Sequence, residues 1–324
     1  MSNTLVTIDM VTREALRIAH EKCQFISTTD RQYDSSFAKT GAKIGASLRV
    51  RKPNQYLRTQ GTRVMDVQEQ DEQTSTVTVA TQDHVDMRFN SAELALSLDE
   101  LSKRYIEPAV SSLVSAIEGD YLAYATKKTY NVVGTAGTAI TDLTAPGLAR
   151  ARLNQMLAPK DRNRAIQMDS VTMAGLVKGV AAYFNPSGAI SEQYREGLVA
   201  RTSMADYYEN ERVWSLTNSS DVTVTTAAAA AVTDGGTNIT LASVGAGDTT
   251  AGMTFTVAGV YACHPETKQS LGYLQPYVVI TGGATTQTVS PATILTGPRQ
   301  NVCSAASAQL ATTAYNGTAV AVTF

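Results

Sequence analysis

Little in this chain offers itself to catalysis. Histidine is limited to His20, His84 and His264, which fall in separate parts of the sequence with no second histidine or carboxylate at metal-ligand spacing. Solvated or capping histidines are expected, and a metal site is not. Cysteine is limited to Cys23, Cys263 and Cys303, an odd number, widely separated and in no C-x-x-C arrangement. That pattern suggests neither a disulfide framework nor a zinc ribbon, and buried reduced thiols are expected. There is no P-loop, and the G-x-G at Gly245 and Gly247 has Thr250 at the third glycine position, with no helical pattern after it. Ser36 and Lys39 match S-x-x-K without the companion elements of that hydrolase signature. The carboxylate pairs Asp71-Glu72 and Asp99-Glu100 are sequence neighbours, so they point in different directions and do not converge on a substrate. No catalytic residue, cofactor or metal is expected, and the chain is not read as an enzyme.

Charge is also scarce: Asp, Glu, Lys and Arg make up 17% of the residues, and aromatics only 6%. Both values are low for a soluble enzyme. The net charge of −2 and a pI near 6.0 give no global pull toward nucleic acid, so packaged or bound DNA is expected to be met only non-specifically. No apolar run approaches the roughly 20 residues that cross a bilayer, and the N-terminal stretch has no signal-type hydrophobic region. No membrane association is expected, and the chain reads as a soluble protein made in a cytosol. Its 324 residues exceed one typical domain, so two or three packed units are expected.

What is present is organised. Val11, Ala15, Leu16, Ile18 and Ala19 recur at helical spacing between Met10 and Phe25, predicting a short amphipathic helix. A capping box, Ser97 with Glu100, opens a run with Leu98, Leu101, Tyr105, Val110, Leu113, Ile117, Tyr121 and Tyr124 or Ala125 at threes and fours. It predicts a helix from about Ser97 to about Asn131, on the order of 50 Å long. Pro108 lies inside it and should bend or split it. Further on, a helix from Pro146 to Ala158, a strand from Arg164 to Met168, a helix from Ser170 to Phe184 and a short one from Ile190 to Leu198 make a mixed middle region.

Two segments are unusual. From Ser35 to Met65 there are seven cations (Lys39, Lys43, Arg49, Arg51, Lys52, Arg58, Arg63) and no acid, while Asp66 to Asp86 holds six acids, including Glu69, Asp71 and Glu72, and no Lys or Arg. Thr74 to Thr81 alternates Val with Thr, so the region reads as a two-stranded excursion with opposite charge on its two limbs. Those charges either pair within the chain or set the register with a neighbouring copy. The second segment begins at Thr217. From there to Phe324 only Asp221, Asp234, Asp248, Glu266, Lys268 and Arg299 are charged. Short alternating runs at Asp221 to Thr225, Met253 to Val260 and Tyr277 to Thr281, divided by Gly, Pro and Asn turns, predict an all-β module. The run Ala227 to Ala231 reads as loop or strand filler.

Gly41-Ala42-Lys43-Ile44-Gly45-Ala46-Ser47-Leu48-Arg49-Val50-Arg51-Lys52-Pro53 resembles the hallmark of tailed-phage coat proteins of the P-22 type, which have the Hong Kong 97 (HK-97) capsid fold. Phe89-Asn90-Ser91 with Leu94 to Pro108, Tyr207-Tyr208-Glu209-Asn210, and Gly252 to Val260 with Thr267 to Ser270 agree, in the same order. The resemblance implies an α+β HK-97-like fold: an N-terminal arm (1–40), an extended E-loop hairpin (41–90), a spine helix with the peripheral domain (91–135), an axial domain (136–216), an inserted all-β domain (217–300) and a C-terminal strand segment (301–324). It further implies a major capsid protein that self-assembles into pentamers and hexamers of an icosahedral head, made in the host bacterial cytoplasm and ending in the virion. Implied partners are a scaffolding protein during assembly, a portal protein and a decoration or cement protein. Arg49, Arg51, Lys52, Arg58 and Arg63 would face Asp66, Glu69, Asp71 and Glu72 between subunits, Pro108 would be the spine-helix hinge during shell expansion, and no covalent cross-link through Lys52 is expected. The alternative is a virion accessory, a tail or decoration component with a β-rich binding module. One departure stands out: relatives continue past the insertion, whereas this chain stops on an alternating strand, Val320 to Phe324. Either the strand order near the C-terminus is rearranged or the chain is incomplete there.

Overall fold

A computed structural model describes residues 8–29, 43, 45–61, 67–69, 72–88, 101–134, 138–160, 163–180, 205–216, 232–241, 249–282, 286–308, 310, 313–314 and 322–323. The architecture is mixed α and β and is organised around three separate apolar cores.

The first core joins the N-terminal helix to the long one. Helix α1 (Ile8–Lys22) is followed by a single turn, α2 (Phe25–Thr28). Ile18 is buried, with Val11, Ala15, Ala19 and Cys23 beside it, against Leu101, Ile106, Val110 and Val114. Leu16, expected on this face, is exposed, because one position past Ala15 is about 100° further round the helix.

The backbone is helical without a break from Leu101 to Lys128. A π turn, Ser102–Ile106, runs straight into α3 (Glu107–Lys128), with the Glu107 N–H donating to the Ser102 carbonyl five residues back. A π turn holds one residue more than an α turn, so it rotates everything after it by about 100°. The buried positions accordingly step by five and then by fours: Leu101, Ile106, Val110, Val114, Glu118 and Leu122. The unbroken helical period had put Tyr121 and Tyr124 on the buried side; both are exposed, at 42% and 60%. Pro108 sits in the first turn of α3. The π turn lies directly before it, and the widened backbone there leaves room between the ring and the Arg104 carbonyl four residues earlier, so the helix runs on through the proline.

The second core lies in the middle region. Helix α4 (Thr144–Gln155) begins two residues before Pro146, which is buried in its first turn. Strand β3 (Ala165–Met168) leads into α5 (Ser170–Val180), and β4 (Asp206–Glu209) returns parallel to β3 with Ile166 opposite Tyr207. Met168, Met173, Leu176, Val180 and Tyr207 close this core. The expected capping box at Ser97 and Glu100, the Ile190 to Leu198 helix, the Asp221 to Thr225 strand and the Ala227 to Ala231 run lie outside the described residues.

The third core belongs to the low-charge region. Two strands precede the sheet in the chain, β1 (Ser47–Arg51) and β2 (Thr74–Thr78). The region itself carries β5 (Val232–Thr233), β6 (Gly236–Thr240), β7 (Thr254–Cys263), β8 (Ser270–Thr281), β9 (Thr286–Thr293), β10 (Val302–Cys303), β11 (Thr313–Ala314) and β12 (Val322–Thr323). A six-stranded antiparallel sheet runs β10-β7-β8-β9-β6, with β12 also on β7, and β5 pairs separately with β11. Within residues 301–324, read as a segment of their own, β10 and β12 join this sheet, with Val302 opposite Ala262 and Val322 opposite Val257. Strand β7 is 10 residues long, and these two short strands cover its outer edge, where unpaired backbone groups would otherwise face water. Phe255, Val257, Val260, Tyr277, Val279, Val289 and Leu295 fill the core. In β8, Gln275 to Val279 are buried without alternation, the mark of a strand covered on both faces. Helix α3 contacts β8.

Candidate assembly surface

The charge-split region forms the expected ribbon. Strands β1 and β2 pair antiparallel, Ser47 opposite Thr78, Arg49 opposite Thr76 and Arg51 opposite Thr74. The pairing continues beyond both strands. At the base the Val79 N–H donates to the Ala46 carbonyl (3.0 Å); further out the Lys52 N–H donates to the Gln73 carbonyl (2.8 Å). Near the tip Gln68 clamps Leu57 from both sides, its Oε1 accepting the Leu57 N–H (2.8 Å) and its Nε2 donating to the Leu57 carbonyl (2.6 Å). Every residue of β2 is exposed, and on β1 only Leu48 and Val50 are half-buried. A two-stranded ribbon with no covering layer is marginal by itself, so its structure asks for an external support.

Of the nine charged residues expected to carry the contact, Arg63, Asp66 and Asp71 lie outside the described residues. Arg51 Nη1 stands 3.6 Å from Glu72 Oε2, with both side chains more than half exposed, so the limbs meet within one chain at this point. Such a pair contributes about 0–1 kcal/mol. Arg49, Lys52, Arg58 and Glu69 are exposed and make no ion pair with another described residue. Four charges of the ribbon thus remain open to an outside partner.

The ribbon tip leans on the β7–β8 turn. Asn54, Tyr56, Leu57 and Arg58 from one side and Pro265, Glu266 and Lys268 from the other enclose a groove of about 930 Å³. The turn is well built: His264 Nδ1 accepts the N–H groups of Glu266 and Thr267 (both 3.2 Å), so this histidine caps a turn. Lys268, at φ +58, directs its Nζ to the carbonyls of Pro298 and Gln300.

A buried ion pair ties the long helix of the first core to the middle region. Glu118, fully buried on α3, accepts the Phe25 N–H (2.9 Å) through Oε1 and Arg212 Nη1 (2.7 Å) through Oε2. Arg212 also donates to Ser115 Oγ (3.1 Å). Asn210 positions that arginine: it is buried, its Oδ1 accepts the Arg212 N–H (3.0 Å), and its Nδ2 donates to Gln167 Oε1 on β3 (2.9 Å). At the other end of α3, Lys127 Nζ lies 5.0 Å from the Trp214 ring centroid. Gly252, at φ +102, packs there so closely that a Cβ would come within 3.1 Å of Lys127 Cγ and 3.2 Å of Trp214.

Among the described residues no group of three or more His, Cys, Asp or Glu is placed to hold a metal, and no helix is long and apolar enough to cross a membrane. No protein-family model and no curated protein matches the sequence. Sequence reasoning missed Glu118 and Arg212, which are a single charge on a helix and an arginine in a turn, joined only by the fold.

Proposed function

We propose that this chain is a shell-building subunit, a tailed-phage major coat protein of HK-97-like architecture, whose ribbon clasps a neighbouring copy. The observation that carries this reading is the ribbon itself: split in charge, wholly exposed on β2, half-buried on β1 only at Leu48 and Val50, and with its tip against the β7–β8 turn. A ribbon of that kind adds little to the stability of its own chain. On a second copy, however, its open Arg49, Lys52, Arg58 and Glu69 set register, and many modest contacts sum over a closed lattice. The order of elements supports the same reading: N-terminal helix, ribbon, long helix, mixed unit and sheet follow one another as arm, E-loop, spine, axial domain and insertion do in that family. Pentamers and hexamers around packaged DNA, assisted by a scaffolding protein and a portal, are the partners this reading carries.

Reversal of charge at the ribbon tests it. The Arg49→Glu/Arg51→Glu protein is expected to keep its circular dichroism and unfolding midpoint but to sediment as free subunits, while the unaltered protein sediments as large closed particles. Large particles from the double variant would remove the clasp.

A further inference from the structure

We propose that the Glu118 carboxylate makes α1 and α2 a releasable strap, seated on the long helix only while the middle region holds Arg212 in place. The strap is fastened to the long helix at three polar points. Ser102 Oγ donates to Glu14 Oε1 (2.9 Å), Lys22 Nζ stands 3.2 Å from Glu107 Oε1, and Glu118 Oε1 accepts the Phe25 N–H (2.9 Å). Lys22 and Glu107 are partly exposed, so water can replace that pair at little cost. Glu118 has no exposed surface. Phe25 opens α2, where its N–H has no intrahelical partner, and the carboxylate supplies one. The Phe25 ring lies beside that bond against Tyr121, with centroids 5.2 Å apart.

The second oxygen of the same carboxylate belongs to another part of the chain. Glu118 Oε2 accepts Arg212 Nη1 (2.7 Å), and among the described residues Arg212 makes no hydrogen bond or ion pair with α1 or α2. The direct route from Arg212 to the strap therefore runs through Glu118. Behind Arg212 stands Asn210, whose N–H donates to the Met168 carbonyl (2.8 Å) and whose Nδ2 donates to Gln167, both on β3. A continuous row of bonds thus leads from β3 through Asn210, Arg212 and Glu118 to Phe25. If β3 and β4 shift and Arg212 withdraws, Oε2 is left charged and unpaired in a site without water. The carboxylate then turns toward the water that enters where Arg212, itself 24% exposed, has left, and its other oxygen comes away from the Phe25 N–H. The effect runs both ways: a lifted strap lets water reach Oε1, and the screened carboxylate holds Arg212 less strongly. The coupling stands whether or not the chain builds a shell.

The test is amide hydrogen exchange of the full chain, read by peptide. Arg212→Met should speed exchange in Ile8–Lys22 and Phe25–Thr28 by about 5- to 100-fold, the usual span of a coupling between two sites, while β7 and β8 keep their rates. In a Glu118→Gln background, where no buried charge is left to satisfy, adding Arg212→Met should leave the strap's exchange nearly unchanged. The reciprocal variant is Ile18→Ala, which loosens the strap at a buried residue of the first core well away from Arg212 in the chain. It should speed exchange at Asn210 and Arg212, again with the sheet unaffected. An unchanged strap in Arg212→Met, equal acceleration of strap and sheet, or an Ile18→Ala effect confined to the strap would overturn the coupling. Ile18→Ala decides it even where Arg212→Met folds poorly.

Discussion

At the scale of single residues, the account turns on Glu118. A carboxylate with no exposed surface costs several kcal/mol to bury and is tolerated only with its partners in place. Those partners come from two distant segments, the Phe25 N–H and the Arg212 guanidinium. Arg212→Met leaves the charge half-satisfied and is expected to cost about 2–4 kcal/mol in denaturant unfolding, less than the extreme for a buried pair because the arginine is 24% exposed. Glu118→Gln keeps a hydrogen-bonding group and should cost less than Arg212→Met; the reverse order would show that the charge is not what matters. A second carboxylate makes stability depend on pH. Hydrogen bonds from Arg17 and then Ser102 hold Glu14 down from its ordinary 4.5 to about 2. A depressed carboxylate contributes above its unfolded value and loses that contribution as pH falls, here between about 4.5 and 2. Amide exchange in α1 should therefore quicken across that window, and Glu14→Gln should flatten the dependence. An unchanged slope in Glu14→Gln would place the acid sensitivity elsewhere.

At the scale of elements, legibility followed periodicity. The ribbon could be read because opposite charge and Val-Thr alternation coincide with its two limbs, and the β module because Thr, Val and Gly replace charge after Leu216. The long helix was legible in its existence but not in its facing. The π turn shifts the phase at Ser102–Ile106, and Glu118 breaks the apolar stripe with a charge, so the pattern in the sequence points to the wrong side. Strands β10, β11 and β12 have two residues each, too few to show a period of two. Their partners on β7 and β5 exist only through long-range contact. Inserting an alanine after the exposed Lys103 turns the five-residue step into a six-residue one, more than a single π turn takes up, and rotates Leu101 away from Val110 by about 100°. Helix α1 should then lose its seat on the first core, seen as rapid proteolysis within Ile8–Lys22 while the sheet keeps its protection. Protection of α1 equal to that of the parent protein would mean the π turn does not set the facing.

At the scale of the whole molecule, the distribution of charge and of cores points outward. The sheet carries almost no charge and covers its β7 edge with its own C-terminal strands. The ribbon, by contrast, concentrates opposite charges on a structure with no fully buried side chain among its described residues. Glu118 and Arg212 pin the first two of the three cores, and the Ser102–Pro108 stretch is where the proposed hinge of the long helix falls. The most direct measurement is electron microscopy of the purified protein in negative stain. The account predicts closed round shells, or rings of five and six subunits. Fibres or trimers would instead favour a tail or decoration component, and monodisperse small particles at every protein concentration would contradict assembly altogether.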